Sequence, residues 1–192
     1  MSTDIQLLVG LGNPGPDYAT TRHNVGFWFA EEVAARYGGA FASERKFQAE
    51  LARCRVGDAD LRLLKPMTYM NRSGSSVRAV LDFFKLTPEQ VLVVHDDLDL
   101  PPGRVKLKWS GGHGGHNGLR DLIRHLGRDF RRMRLGIGHP GESRDVVAYV
   151  LKRASAADEN AIREGIAEAA DALPVILSEG LEAGMNRLHQ RD

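Results

Sequence analysis

The sequence predicts a single-domain, three-layer α/β/α fold over residues 1–192, with a central mixed, mostly parallel sheet. Three observations lead there. Short apolar runs of strand character recur along the chain, stretches with an apolar period near 3.6 lie between most of them, and 192 residues suffice for one well-buried core but are few for two. The first strand-like run is Ile5-Gln6-Leu7-Leu8-Val9, and after it Phe27, Phe29, Ala30, Val33 and Ala34 share one helical stripe. Lys46 to Val56, the turn Gly57-Asp58-Ala59-Asp60 and Leu61 to Lys65 read as two strands joined directly, hence antiparallel, which makes the sheet mixed. A second helical stripe holds Val77, Val80, Leu81 and Phe84, before a strand at Val91-Leu92-Val93-Val94. Arg104, Lys106 and Lys108 alternate with Val105, Leu107 and Trp109, so an extended strand there puts cations on one face and apolar groups on the other. A helix over Leu119–Leu126 and a strand at Met133–Ile137 follow. An acidic, helix-rich segment from Ser155 to His189 closes the chain, with breaks expected near Pro174 and Gly180.

Composition narrows the class. The chain is 42% hydrophobic and 27% charged, an ordinary globular balance. No apolar run approaches the roughly 20 residues of a membrane span, and Met1-Ser2-Thr3-Asp4 has neither a basic nor an apolar leader region, so a cytoplasmic location away from membranes is expected. Cys54 is the one cysteine, which excludes an internal disulfide; with no adjacent His it reads as a packing residue rather than a nucleophile. The net charge of +1 hides an asymmetry. Arg104 to Arg134 holds nine Lys/Arg and two Asp, a local +7 that leaves −6 for the remainder. Such a distribution suggests a polyanion-binding face, although a solvated surface would look the same by charge alone.

Three loops carry polar chemistry. Gly10-Leu11-Gly12-Asn13-Pro14-Gly15 has the G-x-G-x-x-G spacing of dinucleotide sites, but Pro14-Gly15-Pro16 prevents a helix from starting at the glycines, and the next helix begins near Asn24. The same loop brings Asn13, Tyr18, Thr20, Thr21, Arg22, His23 and Asn24 within twelve positions. His23, just before the helix, has the placement of an exposed catalytic imidazole, and equally that of a surface residue beside a helix cap at Thr20 or Asn24. The second cluster, His95-Asp96-Asp97-Leu98-Asp99, ends an apolar strand, where α/β sheets gather their site residues. Asp96 there is suited to orient His23. A metal site is the rival reading of His95, Asp96, Asp97, His113, His116 and His139, though their spacing fits no zinc or di-metal signature. Third, Ser110 to Gly118 is glycine-rich and enters a helix directly after the cationic strand, as a binding cradle would, with glycines that let the backbone close to a ligand and a helix start that exposes unpaired amide donors. No G-x-S-x-G elbow is present and Ser73, Ser75 and Ser76 sit at or inside a helix, so a hydrolase built this way would use activated water.

Together, Val9–Gly15 with Tyr18 and Thr21–Asn24, Lys65–Gly74, His95–Gly103, Gly111–Gly118 and Arg134–Pro140 resemble the bacterial peptidyl-tRNA hydrolase family, in order and over most of the chain. The resemblance implies hydrolysis of the ester between peptide and tRNA, with His23 as the base toward water and Asp96 stabilising its working state. It implies that Asn13 and Asn71 engage the peptide side of the ester, and that Tyr18, Tyr69, Met70, His116 and Asn117 line the cleft for peptide and tRNA 3′ end. Lys106, Lys108 and Arg134 look like its clamp for tRNA phosphates, in keeping with the charge asymmetry. Asp97 stands where relatives often have Glu, and Tyr69 where some have Phe; neither departure touches a catalytic role. No cofactor or metal, no obligate protein partner and a monomeric state are expected. A nucleoside phosphorylase-like enzyme and a noncatalytic RNA-binding module are the alternatives. The first lacks a recognisable phosphate and nucleoside pocket, and the second leaves His23, Asp96 and the asparagines unexplained.

Overall fold

The computed structural model describes residues 4–142 and 145–189. Among them seven strands form one sheet: β1 (Leu7–Gly10), β2 (Ala42–Glu44), β3 (Ala49–Val56), β4 (Ala59–Pro66), β5 (Val91–Asp97), β6 (Val105–Trp109) and β7 (Arg131–Gly136), in the order β2-β3-β4-β1-β5-β7-β6. The central strands β4, β1, β5 and β7 are parallel, while β2–β3, β3–β4 and β7–β6 pair antiparallel. The expected mixed, mostly parallel sheet is therefore present. β1 is buried on both faces, which is why its residues are continuously apolar rather than alternating.

Helices cover both faces. On one, α1 (Val25–Tyr37), α5 (Ala156–Glu179) and α6 (Leu181–His189) bury Val25, Phe29, Val33, Leu173 and Ile176 against Leu8, Leu63, Leu92 and Val94. On the other, α2 (Ser73–Phe84) and α3 (Asn117–Leu126) bury Val77, Leu81, Leu119 and Leu122 against Leu7, Val9, Leu64 and Val93. A short helix, α4 (Val146–Val150), is capped by the Asp145 carboxylate. Cys54 is buried in the first of these cores, and burial pushes its thiol up to about 11, as befits a packing residue.

Two expectations shift. β3 begins at Ala49 rather than Lys46, because Arg45–Phe47 form a 3₁₀ turn that ends in a left-handed Gln48. α5 does not break at Pro174 but runs to Glu179, and only Gly180 separates it from α6. Proline cannot donate to the carbonyl four residues back, that of Ala170, and there the Tyr37 hydroxyl donates at 2.8 Å. The orphaned acceptor is satisfied from a neighbouring helix, so the helix continues.

Close approach at one point sets the site. A Cβ on Gly10 would lie 2.2 Å from the Gly26 carbonyl oxygen, and one on Gly26 would lie 2.5 Å from the carbonyl oxygens of Leu11 and Val94. Glycine at both positions lets the first turn of α1 rest directly on the ends of β1 and β5. That contact carries Arg22, His23 and Asn24 onto the sheet edge.

Candidate active site

Because β4, β1, β5 and β7 are parallel, their carboxyl ends lie along one edge of the sheet, the usual location of ligand sites in such folds. β1 leads to Asn13, Tyr18 and His23; β4 to Tyr69, Met70 and Asn71; β5 ends in His95, Asp96 and Asp97; and β7 carries Arg134. A cleft of about 730 Å³ opens there, lined by all of these residues and by Lys108, His116 and Asn117. Of the residues to which the family resemblance gives a role, only Lys106 lies outside its lining.

At the floor, Asp96 holds two imidazoles. Its Oδ2 is 2.8 Å from His23 Nδ1 and its Oδ1 is 2.8 Å from His116 Nε2. His116 is also the N-cap of α3, its Nδ1 accepting from the amides of Gly118 and Leu119 at 3.1 and 3.2 Å. An accepting Nδ1 puts the His116 proton on Nε2, so His116 donates to Asp96. His23 likewise donates from Nδ1, which leaves its Nε2 as a free base. Burial alone would lower the His23 pKa, but the charge and hydrogen bond of Asp96 outweigh it and hold the value above that of an ordinary imidazole. Burial would raise the Asp96 carboxyl, yet the two imidazoles hold it far below the usual carboxylate range.

Two sequence expectations are corrected here. His23 is not an exposed imidazole: it sits 9% exposed in a 3₁₀ turn, Arg22–Asn24, pinned under α1. The first amides of α3 are not open donors for a ligand, since His116 occupies them.

The potential ligand atoms of His23, Asp96 and His116 lie within 4.8 Å of one another, which brings back the metal reading in a form the sequence spacing did not show. A zinc ligand nitrogen must be unprotonated toward the metal. His116 Nε2 carries its proton toward Asp96 for as long as Nδ1 caps α3, so ligation would require giving up that cap.

Asn13 is held from both ends. Its amide and carbonyl exchange hydrogen bonds with the Asn24 side chain, each 2.9 Å, and its Oδ1 accepts from the Met70 amide at 2.8 Å. Asn24 thus does not cap α1 but locks the β1 loop. With the Asn13 oxygen engaged, its NH₂ is the group left for a ligand. Tyr18 and Tyr69 meet edge to face at 6.4 Å, and Tyr69 is 60% exposed at the rim.

At the other end of the cleft, Lys106 stands opposite Arg134, and Lys108 opposite Arg132, across the β6–β7 ladder. Directly opposed residues share a face, so four cations crowd one patch. Arg134 is paired with Asp97 at 2.8 Å. Arg132 is buried and donates to the carbonyls of Gly111, Gly112 and Arg128. Sequence reasoning counted Arg132 in the charge total without seeing this role. It also missed the apolar wall of Val146, Val147 and Val150 from α4 and Leu151 just after it, whose only early sign was a short apolar run after Asp145.

Known proteins resemble this chain over nearly its whole length. Residues 7–192 match the family model for peptidyl-tRNA hydrolase. The peptidyl-tRNA hydrolase of Alkalilimnicola ehrlichii is 53% identical over 189 residues, covering 97% of this chain and 96% of its own. That of Neisseria gonorrhoeae is 50% identical over 192 residues, 100% of both chains. The crystal structure of peptidyl-tRNA hydrolase from Acinetobacter baumannii superposes with a TM-score of 0.93 at 44% identity, covering 98% of this chain and 96% of that one. A 5′-methylthioadenosine nucleosidase from Arabidopsis thaliana shares the fold alone, at a TM-score of 0.53 and 8% identity over 88% of this chain and 96% of its own.

Proposed function

Because the chain belongs to the peptidyl-tRNA hydrolase family and is a hydrolase of peptidyl-tRNA, we propose that neutral His23 activates the attacking water and that Asp96 sets its tautomer. The observation that carries this reading is the 2.8 Å contact from His23 Nδ1 to Asp96 at the cleft floor; a proton held on Nδ1 by the carboxylate leaves Nε2 of the neutral ring as the base. Water attacks the ester carbonyl carbon as its proton passes to Nε2. The tetrahedral intermediate then collapses, the carbon–oxygen bond to ribose breaks, and the ribose oxygen takes the proton back from His23. A peptide carboxylic acid and a tRNA with a free terminal hydroxyl result. General-base assistance contributes about 100- to 10,000-fold and one oxyanion donor about 100- to 1,000-fold, sufficient for an already labile ester.

The donors suited to the developing oxyanion are the amides of Asn13 and Asn71. The NH₂ of Asn13 also suits a contact to the first peptide carbonyl, which a free aminoacyl ester lacks. Tyr18, Tyr69, Met70, His116 and Asn117 form the walls for the peptide and the terminal nucleotide. Lys106, Lys108 and Arg134 take tRNA phosphates. In the cell this chemistry frees tRNA from peptidyl-tRNA left by stalled or aborted translation.

The test is product analysis. Wild-type protein should release peptide and intact tRNA from peptidyl-tRNA and leave a nucleoside plus phosphate untouched. His23→Ala should lower turnover at least ~100-fold with tRNA binding retained. Turnover near wild type in that variant would remove His23 from the chemistry.

A further inference from the structure

Arg132 is an unusual side chain for its position. It is 2% exposed, no carboxylate pairs with it among the described residues, and its Nε has no partner. Its compensation is three backbone carbonyls and the face of the Phe130 ring, 4.3 Å away. Burial, with the nearby Arg128 charge, pulls the guanidinium down to about 10. With no ionic partner, Arg132 bears the cost of burying a charge without the return of an ion pair, so its place here is explained by the hydrogen bonds it donates.

What Arg132 does hold is the loop between β6 and α3. Ser110, Gly111, Gly114 and Gly115 all have positive φ, and six of the seven residues from Gly111 to Asn117 are Gly or His. Such backbone is intrinsically free to take many shapes. Ser110 is fixed at one end by the hydrogen bond its N–H donates to the Phe130 carbonyl, and His116 at the other by capping α3. Among the described residues, the hydrogen bonds that reach Gly111 and Gly112 from outside the loop all come from the Arg132 guanidinium. A planar fork spanning two successive carbonyls fixes both peptide planes at once, which a point charge does less well.

We infer that Arg132 is a positioning residue: by clamping the carbonyls of Gly111 and Gly112 it holds the glycine loop in the shape that keeps His116 on Asp96, and through Asp96 it sets the basicity of His23. This rests on the assignment of His23 as base. When His116 no longer donates to Asp96, the carboxylate interacts more strongly with His23, the His23 pKa rises further, and activity is lost at a higher pH on the acid side.

The experiment compares Arg132→Met, Arg132→Lys, Lys108→Ala and His23→Ala on full peptidyl-tRNA and on a short peptidyl-adenosine ester, with kcat, KM, pH profile and thermal stability read for each. Arg132→Met, close in bulk but without donors, should stay folded. Its kcat should fall ~10- to 100-fold on both substrates, the scale expected of small misplacements, with KM for the short ester nearly unchanged and the acid limb moved to higher pH. Arg132→Lys, which can reach one carbonyl but not fork across two, should recover part of kcat and return the limb partway toward wild type, and it carries the same readouts should the Met variant not fold. Wild-type kcat and acid limb in a folded Arg132→Met would overturn the inference. So would a loss confined to full peptidyl-tRNA, as expected for Lys108→Ala, since that marks a phosphate contact. An active His23→Ala would instead overturn the assignment of the base, whatever the Arg132 variants do.

Discussion

Asp96 uses each of its oxygens on one imidazole, and an amide cannot do both jobs. In Asp96→Asn the carbonyl oxygen is claimed by His116, whose Nε2 proton is fixed by the α3 cap. The NH₂ then faces His23 Nδ1 and drives the His23 proton to Nε2, the wrong tautomer for a base. Turnover should fall by ~100-fold or more, up to the ~10,000-fold of comparable tautomer errors. Loss of the negative charge also removes what holds the His23 pKa up, so the residual activity should extend to lower pH. A kcat/KM profile whose acid limb stays put or moves upward would contradict this. Local sequence context nominated His23 and Asp96, and family resemblance added Asn13 and Asn71. Neither reported which atoms are free. The Asn13 oxygen is taken by Met70, 57 positions away, and the amides of α3 are taken by His116; both follow from tertiary packing alone.

The edge strand β6 was legible as an element because cation and apolar residues alternate strictly, and its antiparallel pairing with β7 brings Lys106 level with Arg134. If these residues take phosphates, Lys106→Ala and Lys108→Ala should each weaken tRNA binding and lower the slope of log K against log salt by about one contact. Both should hydrolyse a short peptidyl-adenosine ester nearly as wild type does. Equal losses on the short ester would place the lysines in the chemical centre or the fold. Lys108 lies inside the cleft and Lys106 outside its lining, so Lys108 should have the larger effect. Other elements escaped the sequence for identifiable reasons. β2 is three largely exposed residues without an apolar signal, α4 is five residues long, and the continuity of α5 depends on a hydroxyl from α1.

Over the whole molecule, the parallel core was readable because buried strands are uninterrupted apolar runs, whereas strand order was not, since pairing partners lie far apart in the chain. One global consequence is a response to acid. His95 is enclosed beneath the cleft, and burial with the neighbouring His116 holds its pKa down to about 4. The unfolded chain therefore takes up this proton first, and stability is lost as pH falls from about 6.5 toward 4. The loss from this group alone is on the order of 2 kcal/mol at pH 5. In urea titrations at pH 7 and pH 5, His95→Leu should show a smaller drop than wild type; an equal drop would assign the acid sensitivity elsewhere. The central position of β1 has a different consequence, in time rather than in space. β1 is made first, but its neighbours β4 and β5 pair with it through Leu7↔Arg62 and Leu7↔Val91. At about 5–20 residues per second, roughly 4–17 s pass on the ribosome before the second of these partners has even been synthesised. An enzyme that serves translation thus begins its own life with an apolar strand waiting, and Leu7, Leu8 and Val9 are open to misassociation throughout that interval.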